Sequence, residues 1–136
     1  MEYSDITADF ISKRFPELSD LVLADLNEWS VNDLDPFELF YSVLFKEVQN
    51  LFLCGECDKI KPYFDFMEEL ICSRDGAKHD PRTGDDVLNL IQTGFLEYFW
   101  DSYDLYELAN RYMGERTKAL FSKIASYLNI PTKAKT

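Results

Sequence analysis

The chain has 136 residues, a mass of 15.9 kDa and 46% hydrophobic against 29% charged residues, the proportions of one ordinary globular domain rather than of a disordered or collagen-like chain. Its 25 acidic and 14 basic side chains leave a net charge of -11, a field that repels nucleic-acid phosphates and anionic lipid and attracts basic proteins. Apolar runs are a few residues long, far below the ~20 that span a bilayer, and the acidic start Met1-Glu2-Tyr3-Ser4-Asp5 lacks the basic and apolar regions of a secretory signal. A cytoplasmic location is expected.

Apolar residues recur at the helical period nearly throughout, and no stretch sustains the alternation of a strand. A first stripe is Leu18, Leu21, Val22, Leu26 and Trp29; a second is Phe37, Phe40, Tyr41, Leu44, Val48, Leu51 and Phe52. Asp35-Pro36 with Glu38 reads as an N-cap, a proline at the first helical position and a capping-box acid. Gly55 stands where a left-handed closing residue belongs, so a helix is predicted near residues 36–54. The next helix should begin near Asp58, take Pro62 in its first turn, and bury Ile60, Tyr63, Phe64, Met67, Leu70 and Ile71 before Asp75-Gly76 stops it. Residues 76–84 read as one long polar loop. Thr83 with Asp86 then caps a helix burying Val87, Leu88, Ile91, Phe95 and Tyr98. Two further segments use Leu105, Leu108, Ala109 and Tyr112, then Leu120, Phe121, Ile124 and Leu128, divided by Gly114 and stopped before Pro131.

These elements predict an all-α fold of six to seven antiparallel helices stacked as helical hairpins, in a single domain over residues 1–130 with a basic tail at 131–136. Period alone leaves a bundle and a short HEAT-like array both open. The segment Asp85-Asp86-Val87-Leu88-Asn89-Leu90-Ile91 resembles the second helix of a HEAT-type repeat, although no period of ~40 residues repeats it.

Cys54, Cys57, Cys72 and His79 supply four zinc-type ligands on paper. A helix carrying Cys72 would place it roughly 22 Å from Cys57 along the axis, too far to share an ion, so no metal is expected. The Cys54-Gly55-Glu56-Cys57 pair falls at a helix C-terminus, the wrong pole to lower a thiol pKa for redox work. With one histidine, in a polar loop beside Asp80, and no glycine-rich phosphate loop, the chain presents no catalytic signature; it is read as a non-enzyme with no cofactor.

Aromatic residues are 15% of the chain, most of them assigned to the core. On a helix continuing from Asp85 at 100° per residue, Asp86, Asn89, Thr93, Leu96, Glu97 and Trp100 fall opposite the buried stripe. Six acids and no base lie between Arg82 and Arg111. A tryptophan and a leucine among acids is the make-up of an interface anchor with a charged surround. The expected partner-binding residues are Asp86, Asn89, Thr93, Glu97, Trp100, Asp101 and Asp104, with the surface on residues 33–47 as the next candidate.

The segments Ile6-Thr7-Ala8-Asp9-Phe10, Phe15-Pro16-Glu17-Leu18, Asp85-Asp86-Val87-Leu88-Asn89, Phe95-Leu96-Glu97-Tyr98, Tyr112-Met113-Gly114 and Thr117-Lys118 together resemble a group of small acidic all-helical bacterial proteins that includes candidate immunity proteins of polymorphic and contact-dependent toxin systems. The resemblance implies a protein that binds and neutralises a basic toxin domain, with nucleases the natural targets because their substrate channels are basic. It transfers no catalytic residue. The partner is then a basic protein, without direct nucleic-acid or membrane binding, and the chain a monomer or weak homodimer. A small helical adaptor that takes a peptide or partner helix in a groove is the alternative, and a helical enzyme the third.

Overall fold

The structure, a computed structural model, describes residues 1–74 and 85–127. The long loop with His79 and Thr83, together with Leu128, Pro131 and the basic tail, lies outside the described residues. Among those described, seven α-helices and no strand are found, and the all-α expectation holds. No described helix is long and apolar enough to cross a membrane.

Helix α1 spans Ala8–Arg14 and α2 Ser19–Trp29, joined by a 3-10 turn at Pro16–Leu18. Helix α3 runs without a break over 36–53, through Pro36–Glu38, Leu39–Phe45 and Lys46–Leu53. Helix α4 is Lys61–Cys72, α5 Asp86–Gly94, α6 Tyr103–Tyr112 and α7 Glu115–Tyr127.

Local chemistry accounts for most of these boundaries. The Asp35 carboxylate accepts from the Glu38 N–H at 3.0 Å with Pro36 at the first helical position, and α3 starts there as expected. Glu38, however, completes no capping box: its carboxylate turns to Trp29. At the other end Gly55, at φ 76°, lets the Glu56 N–H reach back to the Leu51 carbonyl at 2.8 Å, closing the last turn. Pro62 sits in the first turn of α4, where its missing N–H costs nothing. The cap of α5 is Asp85, whose Oδ1 accepts from the Val87 and Leu88 N–H groups at 3.0 Å, so Asp86 is left on the surface.

The middle of α3 is wound more widely, with π-type hydrogen bonding over Leu39–Phe45; Leu39, Phe40, Val43, Leu44 and Phe45 are all buried there. Such windings are rare. Here it follows a run of apolar residues that all find core neighbours, because α3 is covered by α2 on one side and α5 on another.

Helix α4 decides the architecture. It packs against α5, α6 and α7, while Tyr63 and Phe66 meet Phe15 from the end of α1 at ring-centroid distances of 4.9 and 5.4 Å. In a solenoid each unit touches only its chain neighbours; a helix touched from both ends of the chain makes this a bundle. Phe64, Phe95 and Phe99 lie within 5.5 Å of one another, with Phe45 edge-on to Phe99, and one continuous core runs from Ile6 to Ile124. Each buried Phe contributes about 2–3 kcal/mol through area removed from water.

Candidate functional site

The face predicted on one helix is divided by the structure. Helix α5 stops at Gly94; Phe95 adopts φ -133°, ψ -64°, and Leu96–Trp100 continue as a 3-10 turn. The 100° spacing used to project Trp100 and Leu96 outward therefore ends at Gly94. Leu96 is fully buried, and Trp100 is half-buried, stacked on Phe121 at 4.7 Å and beside Tyr106 at 5.1 Å, where it joins the turn to α7. Asn89 is half-buried with its Oδ1 sealed from solvent, and the Thr93 hydroxyl donates to the Asn89 carbonyl at 2.8 Å.

Of the predicted acids, Asp86, Asp101 and Asp104 are exposed and Glu97 is half-buried. Asp86 sits at the start of α5, where its charge acts on Tyr3 and Arg74. Burial and the neighbouring Asp101 charge raise the Glu97 pKa, so these two carboxylates do lie together. The structure thus gathers Glu97 and Asp101 on a small acidic patch and leaves Asp86 apart from it.

Cys54 ends α3 and is exposed, as is Cys72 in the last turn of α4; all three thiols are free. Among the described residues no group of three His, Cys, Asp or Glu side chains could hold a metal ion.

A second surface is built around Trp29. Spacing assigned Trp29 and Leu21 to a core stripe, but only Leu18 and Val22 of that stripe are buried; Trp29 is 57% exposed and Leu21 is also exposed. The stripe fails at its end because the last turn of α2 carries Trp29 to the mouth of the α2–α3 connection. Ser30, at φ 54°, reverses the chain, the Val31 N–H donates to the Leu26 carbonyl at 3.2 Å, and Val31 emerges 45% exposed. Asp33 Oδ1 accepts from the Ala8 N–H and from Leu34 N–H, both at 2.9 Å, which ties the connection to the start of α1. Asp35 then caps α3, and Glu38 in its first turn accepts from the Trp29 indole N–H at 3.1 Å.

The result is a cleft of about 290 Å³ lined by Trp29, Val31, Leu34, Asp33, Asp35 and Glu38. It adjoins, through Asp33, a larger groove of about 490 Å³ between α1 and α2, whose apolar wall is Val22, Leu23 and Leu26. Behind the cleft Asp25 is 9% exposed and forms a carboxyl pair with Glu38. Burial first, then the Glu38 hydrogen bond and charge, push its pKa up to about 6. The pair holds one proton more readily than two separated acids would. Glu38 is held below the usual range: burial opposes this, but hydrogen bonds from Ser42, Asp25 and Trp29 outweigh it.

Charge around this cleft is one-sided. Between Arg14 and Lys46 the chain carries Glu17, Asp20, Asp25, Glu28, Asp33, Asp35 and Glu38 and not one base. None of these seven takes part in an ion pair among the described residues, whereas Asp9, Glu56, Asp65 and Glu69 each do. That base-free run was present in the sequence and was the signal that could have located the site.

All seven described helices and both acidic surfaces fall within residues 8–129, which match the family described as a domain of unknown function, DUF7674. The chain belongs to that family. No curated protein and no solved structure matches it.

Proposed function

We propose that the chain is an immunity-type inhibitor, which binds a basic toxin domain through its acidic surface and neutralises it. The supporting observation is the stretch from Phe15 to Phe45, with seven carboxylates, no base and an exposed tryptophan at its centre. Uncompensated charge of this kind costs stability through self-repulsion, and becomes favourable when an opposite charge docks. An exposed indole inside it adds the anchor that long-range attraction lacks. The patch of Glu97 and Asp101 has the smaller charge, so it serves as charged surround and steers the encounter.

The test is to identify the neighbouring open reading frame, which this reading expects to encode a basic toxin domain, and to titrate the purified chain against its product. Tight association that weakens steeply with added salt, together with loss of the toxin's activity, is expected. A complex formed without loss of activity would contradict inhibition. The groove between α1 and α2, with Leu23 exposed along it, favours a second reading as an adaptor for a partner helix; there, apolar substitutions along Val22 and Leu23 would matter and salt would not.

A further inference from the structure

We propose that the Trp29 cleft is a receptor for an arginine side chain of the basic partner; this rests on the reading of the acidic surface as a partner-binding face and names the group that enters it. Three observations converge on a guanidinium. The first is the lining. Asp33, Asp35 and Glu38 line the cleft together with Trp29, Val31 and Leu34. A planar, weakly hydrated cation, which donates hydrogen bonds to carboxylates and packs against an apolar surround, matches this set better than a compact, strongly hydrated ammonium.

The second is the state of the indole. Its N–H is engaged with Glu38, which fixes the ring edge-on to the carboxylate, and the ring is more than half exposed. The chain already places cations over other rings: Arg14 lies over Phe15 and Phe66, and Lys46 over Tyr41. Among the described residues no such cation covers Trp29, and tryptophan is the ring that binds cations best.

The third is charge. Asp33 spends one oxygen on two backbone N–H groups and Asp35 one oxygen on a single N–H, leaving acceptor capacity free. No base of the described residues neutralises either of them or Glu38. A cation arriving from outside supplies the missing counter-charge and the missing ring contact together.

The test uses the whole chain and a capped hexa-arginine peptide, with capped hexa-lysine as the control, followed by the indole N–H resonance of Trp29 in solution NMR at low salt. Hexa-arginine should shift that resonance saturably and bind at least threefold tighter than hexa-lysine. Trp29→Ala, followed by titration calorimetry because it removes the reporting indole, and the shape-preserving Glu38→Gln should each weaken hexa-arginine binding at least fivefold, with circular dichroism confirming that both variants fold. Glu97→Gln with Asp101→Asn should weaken it less than twofold. Equal binding of the two peptides, absence of binding, or binding unaffected by both cleft variants overturns the inference. If the Glu97 and Asp101 variant alone abolishes binding, the cleft assignment falls while the acidic-surface reading stands; failure of that reading shows separately, as absence of association with the toxin domain.

Discussion

Gly114 precedes α7, and a side chain there has no room: an added Cβ would overlap the Glu68 carboxyl and come within 2.8 Å of its Cγ. Glu68 cannot step aside freely. Its carboxylate accepts from the Thr117 hydroxyl at 2.7 Å, the Thr117 N–H at 2.9 Å and the Arg116 N–H at 3.3 Å, standing in for the N-cap side chain that glycine lacks. Gly114→Ala and Glu68→Ala should each cost about 2 kcal/mol in urea denaturation, through the same lost clamp between α4 and α7. The two should be far from additive in the double variant. Two acids respond oppositely to pH. Burial tends to raise the Glu68 pKa, but the three donors outweigh it and hold it below the usual range. Its contribution is therefore present above the unfolded value and lost as pH falls through the folded one. Asp25 is raised from 3.8 to about 6, so between those values the folded state holds a proton that the unfolded chain releases, and stability declines as pH rises through the window. Asp25→Asn keeps a donor toward Glu38 and removes the ionisation. It should stabilise the chain by on the order of 1–2 kcal/mol at neutral pH, with the gain fading below about pH 4; a gain independent of pH would contradict this account.

Helices α2 and α3 end with the same hydrogen-bond pattern but different residues. Gly55 closes α3 at φ 76° and Ser30 closes α2 at φ 54°. A side chain in the left-handed region is strained, and glycine is not. Ser30→Gly should raise stability by about 0.5–1 kcal/mol in thermal denaturation without altering the cleft, since Ser30 is exposed and only its backbone turns the chain. The ends of α3 were legible in the sequence because proline, glycine and a capping aspartate act locally; α4 begins at Lys61 rather than near Asp58, because Cys57–Lys59 form a separate 3-10 turn before it. The end of α5 was not legible. Gly94 sits against Phe37 and Phe40, and the turn at Leu96–Trp100 follows from how α5 meets α3, a tertiary fact that periodicity does not carry. The wide winding of Leu39–Phe45 was hidden for a related reason, since a mainly apolar run reads the same at either winding. Trp29 was missed as a site residue because its spacing places it on a core stripe, while its exposure depends on where α1 and α3 stop covering α2.

Over the whole molecule, 24 acids against 8 bases in residues 1–109 make repulsion a larger influence on stability than the few exposed ion pairs. Added sodium chloride should therefore raise the melting temperature from its low-salt value, by screening that repulsion within a Debye length; a fall would mean that the surface pairs dominate. The proposed basic partner would be drawn by the same field and anchored at Trp29 and Glu38. The most direct measurement is growth rescue in a sensitive host that expresses the product of the neighbouring open reading frame, the proposed toxin, comparing the wild-type chain with the Trp29→Ala, Glu38→Gln double variant at equal soluble levels. Wild type should restore growth and the double variant should not. Rescue by both, or by neither, would contradict the claim that an acidic surface centred on Trp29 neutralises a toxin.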